Sequence, residues 1–139
     1  MIKRKQPIIL IAVLIAILVL ELLPYGIVLE FAHISPDLSI SYYEQHFSYF
    51  DLIVYGYGNV GALFTAILTC VLLVISIINL LVDNDKIKTT IKIVSLIALV
   101  ASLAPLIVNS YSVIGGVISF LLLVIVVIPI KKDVNDSAL

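Results

Sequence analysis

The sequence has no tryptophan and only one cysteine, one methionine and one arginine. A lone Cys70 excludes an intramolecular disulfide, a C-x-x-C redox pair and a thiolate metal cluster. Charge is equally scarce. Asp, Glu, Lys and Arg make up 12% of the chain, against about 25% in soluble domains. The net charge of −1 leaves no basic field for nucleic acid. Six glycines and five prolines form no linker-like cluster, and no internal repeat is visible, so the chain reads as one domain.

What fills the space is hydrocarbon. Hydrophobic residues are 63% of the chain, and they lie in long runs. A membrane-spanning helix needs about 20 mostly apolar residues. The sequence predicts an all-α bundle of four such helices, at about 8–29, 58–82, 91–108 and 113–130, in a single membrane domain over 1–139. Lipid requires helices here, because four spans cannot close a barrel and backbone groups must pair internally. Lys3, Arg4 and Lys5 before the first run resemble the start of a signal peptide. No small–x–small cleavage site follows, so the first span is expected to be retained.

All eight basic residues fall in three places: Lys3, Arg4 and Lys5; Lys86, Lys88 and Lys92; Lys131 and Lys132. With four spans these places share one side. The positive-inside rule then puts both termini, the short 83–90 loop and the tail 131–139 in the cytoplasm. The expected location is the bacterial cytoplasmic membrane, with the lipid bilayer as first partner. All seven tyrosines map to the other side, where tyrosine favours the headgroup zone. The outer loop, about 30–57, is the one sizeable non-spanning part. Ser41-Tyr42-Tyr43-Glu44 fits a capping box. Tyr43, Phe47, Phe50 and Val54 then recur at helical spacing. Together they predict an interfacial helix over about 42–50. Ser35-Pro36-Asp37 reads as an earlier turn or helix start, and Asn109-Ser110-Tyr111-Ser112 as a tight link between the last two spans.

Several residues invite a functional reading. Glu21 interrupts the first run, three residues before Pro24, whose missing N–H predicts a kink. Ionisable groups inside a membrane are costly and mark ion or proton paths. Thr65, Ser102, Asn109 and Ser119 lie at similar outer depth and are candidate partners for a protonated Glu21. The alternatives are a satisfied buried acid, or a helix that ends near Leu23 and leaves Glu21 at the interface. The letters Gly56-Tyr57-Gly58-Asn59-Val60-Gly61 match a dinucleotide fingerprint, but a charge-free apolar run follows them where a soluble βαβ unit is needed. Gly58, Ala62, Ala66 and Cys70 recur every four residues, as do Gly61, Thr65 and Thr69. Ser112 with Gly116, Gly115 with Ser119, and Ser95 with Ala98 and Ser102 extend the theme. Such faces let membrane helices approach closely, within one bundle, in a homo-oligomer or against another membrane protein. His33, His46, Asp37 and Glu44 show no metal spacing on a helix, where Glu44 and His46 point to different faces. No nucleophile motif is present. The expectation is a protein that is not an enzyme and carries no metal or cofactor.

Glu21-Leu-Leu-Pro-Tyr-Gly26, and Tyr49-Phe-Asp-Leu52 followed by Gly56-Tyr-Gly-Asn59, resemble stretches of small four-helix bacterial membrane proteins of no assigned function. That resemblance implies architecture only. Four spans with an acid in the first also resemble the small multidrug resistance transporters, in which that acid exchanges protons for cationic drugs. Glu21 is the one residue the resemblance carries over. The long outer loop and a third span without aromatics depart from that family.

The function expected from the sequence is an accessory, sensing or protective membrane component acting through packed helix faces. The alternative is a small proton-coupled transporter or permeation element using Glu21.

Overall fold

A computed structural model describes residues 5–52, 60–82 and 84–128. In chain order the elements are α1 (Lys5–Leu22), β1 (Ile27–Ile34), β2 (Ile40–Phe47), α2 (Val60–Val82), α3 (Asp85–Ser102), the one-turn α4 (Ala104–Ile107) and α5 (Val113–Val127). Among the described residues the fold is mostly helical, with four principal helices and a two-stranded sheet. The sheet is a correction to the all-α expectation. Gly58, the other residues of 53–59, and the basic residues at 3–4 and 131–132 lie outside the described residues.

Among the described residues two helical stretches, Val60–Val82 and Asp85–Ile107, are long and apolar enough to cross a membrane. Gln6–Leu22 and Val113–Val127 are apolar but shorter. The third stretch starts earlier than the apolar run suggested, because Asn84 caps it: its side chain accepts from the Lys86 N–H at 2.9 Å. Ser112 caps α5 in the same way, accepting from the Gly115 N–H at 2.9 Å.

The first helix stops at Leu22, seven residues short of the expected end. Pro24 therefore terminates α1 instead of kinking it, since it has no N–H to extend the ladder. The chain turns through Tyr25 and Gly26 into an antiparallel hairpin whose register runs from Ile27 opposite Phe47 to Ile34 opposite Ile40. The expected helix over 42–50 is thus mostly strand. The capping-box letters compete with Ile27-Val28-Leu29-Glu30-Phe31, an alternating partner that offers β2 a full ladder. Pro36 sits in the connecting turn, where the Leu38 N–H donates to the Ser35 carbonyl at 2.9 Å. Asp37 accepts from the Ser39 hydroxyl at 2.9 Å. That contact and the Ser39 N–H hold the Asp37 carboxyl below its ordinary pKa.

The hairpin is two-faced. Ile27 and Leu29 are buried and Phe31 half-buried, and Phe31 stacks on Tyr43 at 5.6 Å. The opposite face carries Glu30, Glu44 and His46. At its base, β1 pairs with the link before α5: Ile27 bridges Tyr111, and the Val28 N–H donates to the Ser110 carbonyl at 3.2 Å.

Around an apolar core that includes Leu14, Ile17, Leu72, Ile91, Ile118 and Leu122, the helices also bury polar groups and leave many apolar ones exposed. Glu21, Thr65, Thr69, Ser76, Asn79, Ser95, Ser102 and Ser119 are buried. Ile15, Val19, Ile67, Val74, Ile93, Val100, Phe120 and Val127 are exposed. The buried stripe of α2 runs Ala62, Thr65, Ala66, Thr69, Leu72, Ser76 and Asn79. Cys70 is exposed on the same helix, so the Gly58–Cys70 spacing is not one continuous contact face. Gly61 lies against α4. A Cβ there would collide with Ala104 and come within 2.9 Å of the Ala101 carbonyl.

Candidate functional site

The residues that converge lie where α1 ends below the start of α2. Thr69, nine positions into α2, is about 14 Å along its axis from Val60. Glu21 in the last turn of α1 meets it there: the Thr69 hydroxyl donates to Glu21 Oε1 at 2.9 Å. The same hydroxyl is 3.0 Å from the Thr65 carbonyl, so its single proton is shared between two acceptors. The space that α1 leaves above Glu21 is filled by the base of the hairpin.

Tyr49 closes that space. Its N–H donates to the Glu21 carbonyl at 3.0 Å, capping a carbonyl the helix end leaves free. Its ring lies so close to Gly26 that a Cβ there would come within 2.7 Å of Cδ1. Its hydroxyl points to Gly115, where an added Cβ would be 3.2 Å away. Burial raises the Tyr49 pKa well above the ordinary tyrosine value, with the charges of Tyr111 and Glu21 adding to it. The Ser112 hydroxyl donates to the Gly26 carbonyl at 2.7 Å and locks the turn after α1 to the start of α5.

Glu21 is fully buried and Tyr49 is 1% exposed. Among the described residues, Glu21 Oε2 and the Tyr49 hydroxyl have no hydrogen-bond partner. Buried polar atoms of native proteins are almost all paired, so two orphans at one end of one bundle need a chemical reason.

The expected partners are placed differently. Thr65 donates to the Gly61 carbonyl at 2.8 Å, within its own helix. Ser102 pairs with Ser119 at 2.9 Å across α3 and α5, and the Tyr111 hydroxyl donates to Ser119 at 3.2 Å. Asn109 is exposed in the turn before α5, in the left-handed region at φ 54°. Thr69 takes the partner's role. Thr69 was visible as the next member of the Gly61–Thr65 row. Tyr49 carried no sequence signal, because its approach depends on the hairpin.

Gly115 and Ala62 are buried, and Gly61 lies against α4, all within this one chain. Gly116 lies near the Tyr111 ring, 3.6 Å from where a Cβ would be. Ser76 and Asn79 Oδ1, toward the other end of α2, also lack partners among the described residues. The strand geometry reverses one expectation: Glu44 and His46 share a face, with Glu30 directly opposite Glu44. Even so, no group of three His, Cys, Asp or Glu among the described residues is arranged to hold a metal ion.

Compared with known protein families, curated proteins and solved structures, the chain matches none.

Proposed function

We propose that this chain is a non-catalytic, multi-pass protein of the bacterial cytoplasmic membrane, acting as an accessory, sensing or protective component. The observation that carries the reading is the inverted polarity of the helices, with apolar side chains outside and hydroxyls, an amide and a carboxylic acid inside. In water that arrangement forgoes burial of the apolar area; in lipid it is the low-energy one. If the four apolar helices all span, the grouping of the basic residues puts both ends in the cytoplasm. The hairpin then lies outside, its Ile27–Phe31 face toward the bundle and bilayer.

Gly61, Ala62 and Gly115 meet neighbours within this chain, and the proposed partner contact lies on the hairpin. Ile34, Leu38 and Ile40 at the hairpin tip are exposed, Leu38 by 83%, and supply an apolar surface for a membrane-protein partner. Capture from native membranes tests this. The wild type is expected to retain a partner that a Leu38→Ser, Ile40→Ser variant loses, and equal recovery by both rejects the tip as the contact. Cysteine labelling tests the layout. A thiol at Ser39 is expected to react with an impermeant reagent added outside, and one at Thr89 is not; the reverse pattern refutes the topology.

One observation favours a second reading, a small proton-coupled transporter or permeation element: the free Oε2 of a fully buried Glu21. In reconstituted vesicles Glu21→Gln is expected to abolish pH-dependent cation flux. A wild type that moves no tested cation defeats this reading.

A further inference from the structure

We propose that Glu21 is an exchangeable proton-binding site, loaded from the hairpin side of the bundle through the Tyr49 hydroxyl. This deepens the second reading, naming the ligand of that site and its route of entry.

The ligand follows from the oxygens left over. Glu21 Oε2 and the Tyr49 hydroxyl are buried and unpartnered among the described residues. The other oxygens nearby are committed: Oε1 to Thr69, and the Gly26 carbonyl to Ser112. Hard metal cations take about six or more oxygen ligands. Two are far too few. A single proton on the carboxyl needs an acceptor and a donor–acceptor, and Oε2 and the Tyr49 hydroxyl are atoms of those two kinds; the proposed route joins them through one water. Gly115 keeps room beside that hydroxyl, since a Cβ would reach within 3.2 Å of it.

The route follows from what lies on either side. Toward the inner end, Leu14 and Ile17 of α1, Leu72 of α2 and Leu122 of α5 are fully buried and apolar, and the next buried polar groups of α2, Ser76 and Asn79, begin seven residues, about 10 Å, beyond Thr69. Toward the hairpin lie Tyr49, Ser112 and Tyr111. Loading passes one proton from outer water to the Tyr49 hydroxyl as that hydroxyl gives its own, through water, to Oε2. Unloading reverses this.

The titratable groups around the site are few. α2 and α5 carry no charged residue, and α2 contributes only the Cys70 thiol. The hairpin side contributes Tyr49, Tyr111 and Asp51, whose carboxylate accepts from the Ser48 N–H at 2.7 Å. The pH response of the site is therefore set mainly by Glu21.

The test is infrared spectroscopy of the full chain in lipid vesicles. A protonated buried carboxylic acid gives a carbonyl stretching band apart from the carboxylates, and the band shifts when D2O replaces water. We expect a band that fades as pH rises and is lost in Glu21→Gln. We expect its deuterium shift to slow at least several-fold in Tyr49→Phe and to keep its rate in Tyr111→Phe. A band that survives Glu21→Gln, or a Tyr49→Phe protein that exchanges as fast as wild type, overturns the proposal.

If Glu21→Gln does not fold, a hydrophobic carbodiimide on the wild type decides the matter. The acid proton moves to a carbodiimide nitrogen and the carboxyl oxygen bonds the central carbon, giving an acylisourea that rearranges to a stable acylurea. Peptide mass mapping should place one such adduct on Glu21, with labelling falling about tenfold per pH unit once the site deprotonates. No adduct there at acid or alkaline pH also overturns it. These readouts need no flux, so a proton site without transport is told apart from the absence of a proton site.

Discussion

Ser112 is the side chain on which the junction of α1, the hairpin and α5 turns. Its hydroxyl donates to the Gly26 carbonyl at 2.7 Å and accepts from the Gly115 N–H at 2.9 Å, both in buried surroundings. Ser112→Ala removes both bonds and adds none. Loss of an N-cap costs about 1 kcal/mol. Leaving a buried acceptor such as the Gly26 carbonyl unpaired costs about 1–3 kcal/mol. The cap and the orphan share one atom, so the two costs overlap, and the expected loss is about 2–3 kcal/mol. Mixed-micelle unfolding followed by circular dichroism measures it. Ser112→Thr keeps the hydroxyl and is expected to retain most of the stability. Hydrogen exchange adds a positional readout, because the Gly115 amide loses its acceptor and the hairpin base around Ile27 and Val28 should loosen with it, while α2 and α3 keep their protection. A loss under about 0.5 kcal/mol, within the range of an ordinary surface change, refutes the reasoning.

Gly61→Ala is expected to destabilise by about 1–3 kcal/mol in the same assay, because the added methyl meets Ala104 and the Ala101 carbonyl. Gly116→Ala, which meets only the Tyr111 ring edge at 3.6 Å, should be near neutral. A double-mutant cycle on Ser102 and Ser119, 2.9 Å apart, should return a coupling of about 0.5–1 kcal/mol, and a value of zero removes that pair from the α3–α5 contact. Tyr49 makes stability fall in alkali. Below the ordinary tyrosine value of about 10 both states hold the proton and nothing changes. Above it the unfolded chain ionises while burial keeps the folded hydroxyl protonated, so stability drops by up to about 1.4 kcal/mol per pH unit. Tyr49→Phe should flatten that alkaline limb, and an unchanged limb rejects the assignment.

The helical stretches were legible in the sequence, since runs of apolar residues this long leave the chain little choice. Their ends were less so. The assumption that the first run continues to residue 29 treats Ile27-Val28-Leu29 as more hydrocarbon, whereas Ile27, Leu29 and Phe31 alternate with Val28 and Glu30 in the period of a strand. A strand signal is local, but a hairpin needs two, and Ile40–Phe47 shows its match only once paired with Ile27–Ile34. Helical spacing through Tyr43, Phe47, Phe50 and Val54 competed with alternation at Tyr43, Gln45 and Phe47, and the long-range partner decided between them.

That exchange of a helix end for a hairpin also decides how Glu21 is read. A helix ending near Leu23 was one of the alternatives, and it implied an acid at the interface. The helix does end at Leu22, yet Glu21 is sealed, because the chain returns and lays Tyr49 over it. Access to the acid is then governed by a tyrosine held through Gly26 and Ser112 rather than by depth in the bundle. The Ser112→Ala variant therefore carries a consequence beyond stability. If loosening that clasp lets the hairpin base open, the carboxylic-acid band of Glu21 should exchange its proton faster than in the wild type, the opposite of Tyr49→Phe. Faster exchange in Ser112→Ala together with wild-type exchange in Tyr49→Phe would mean that Tyr49 is a cover and not a path.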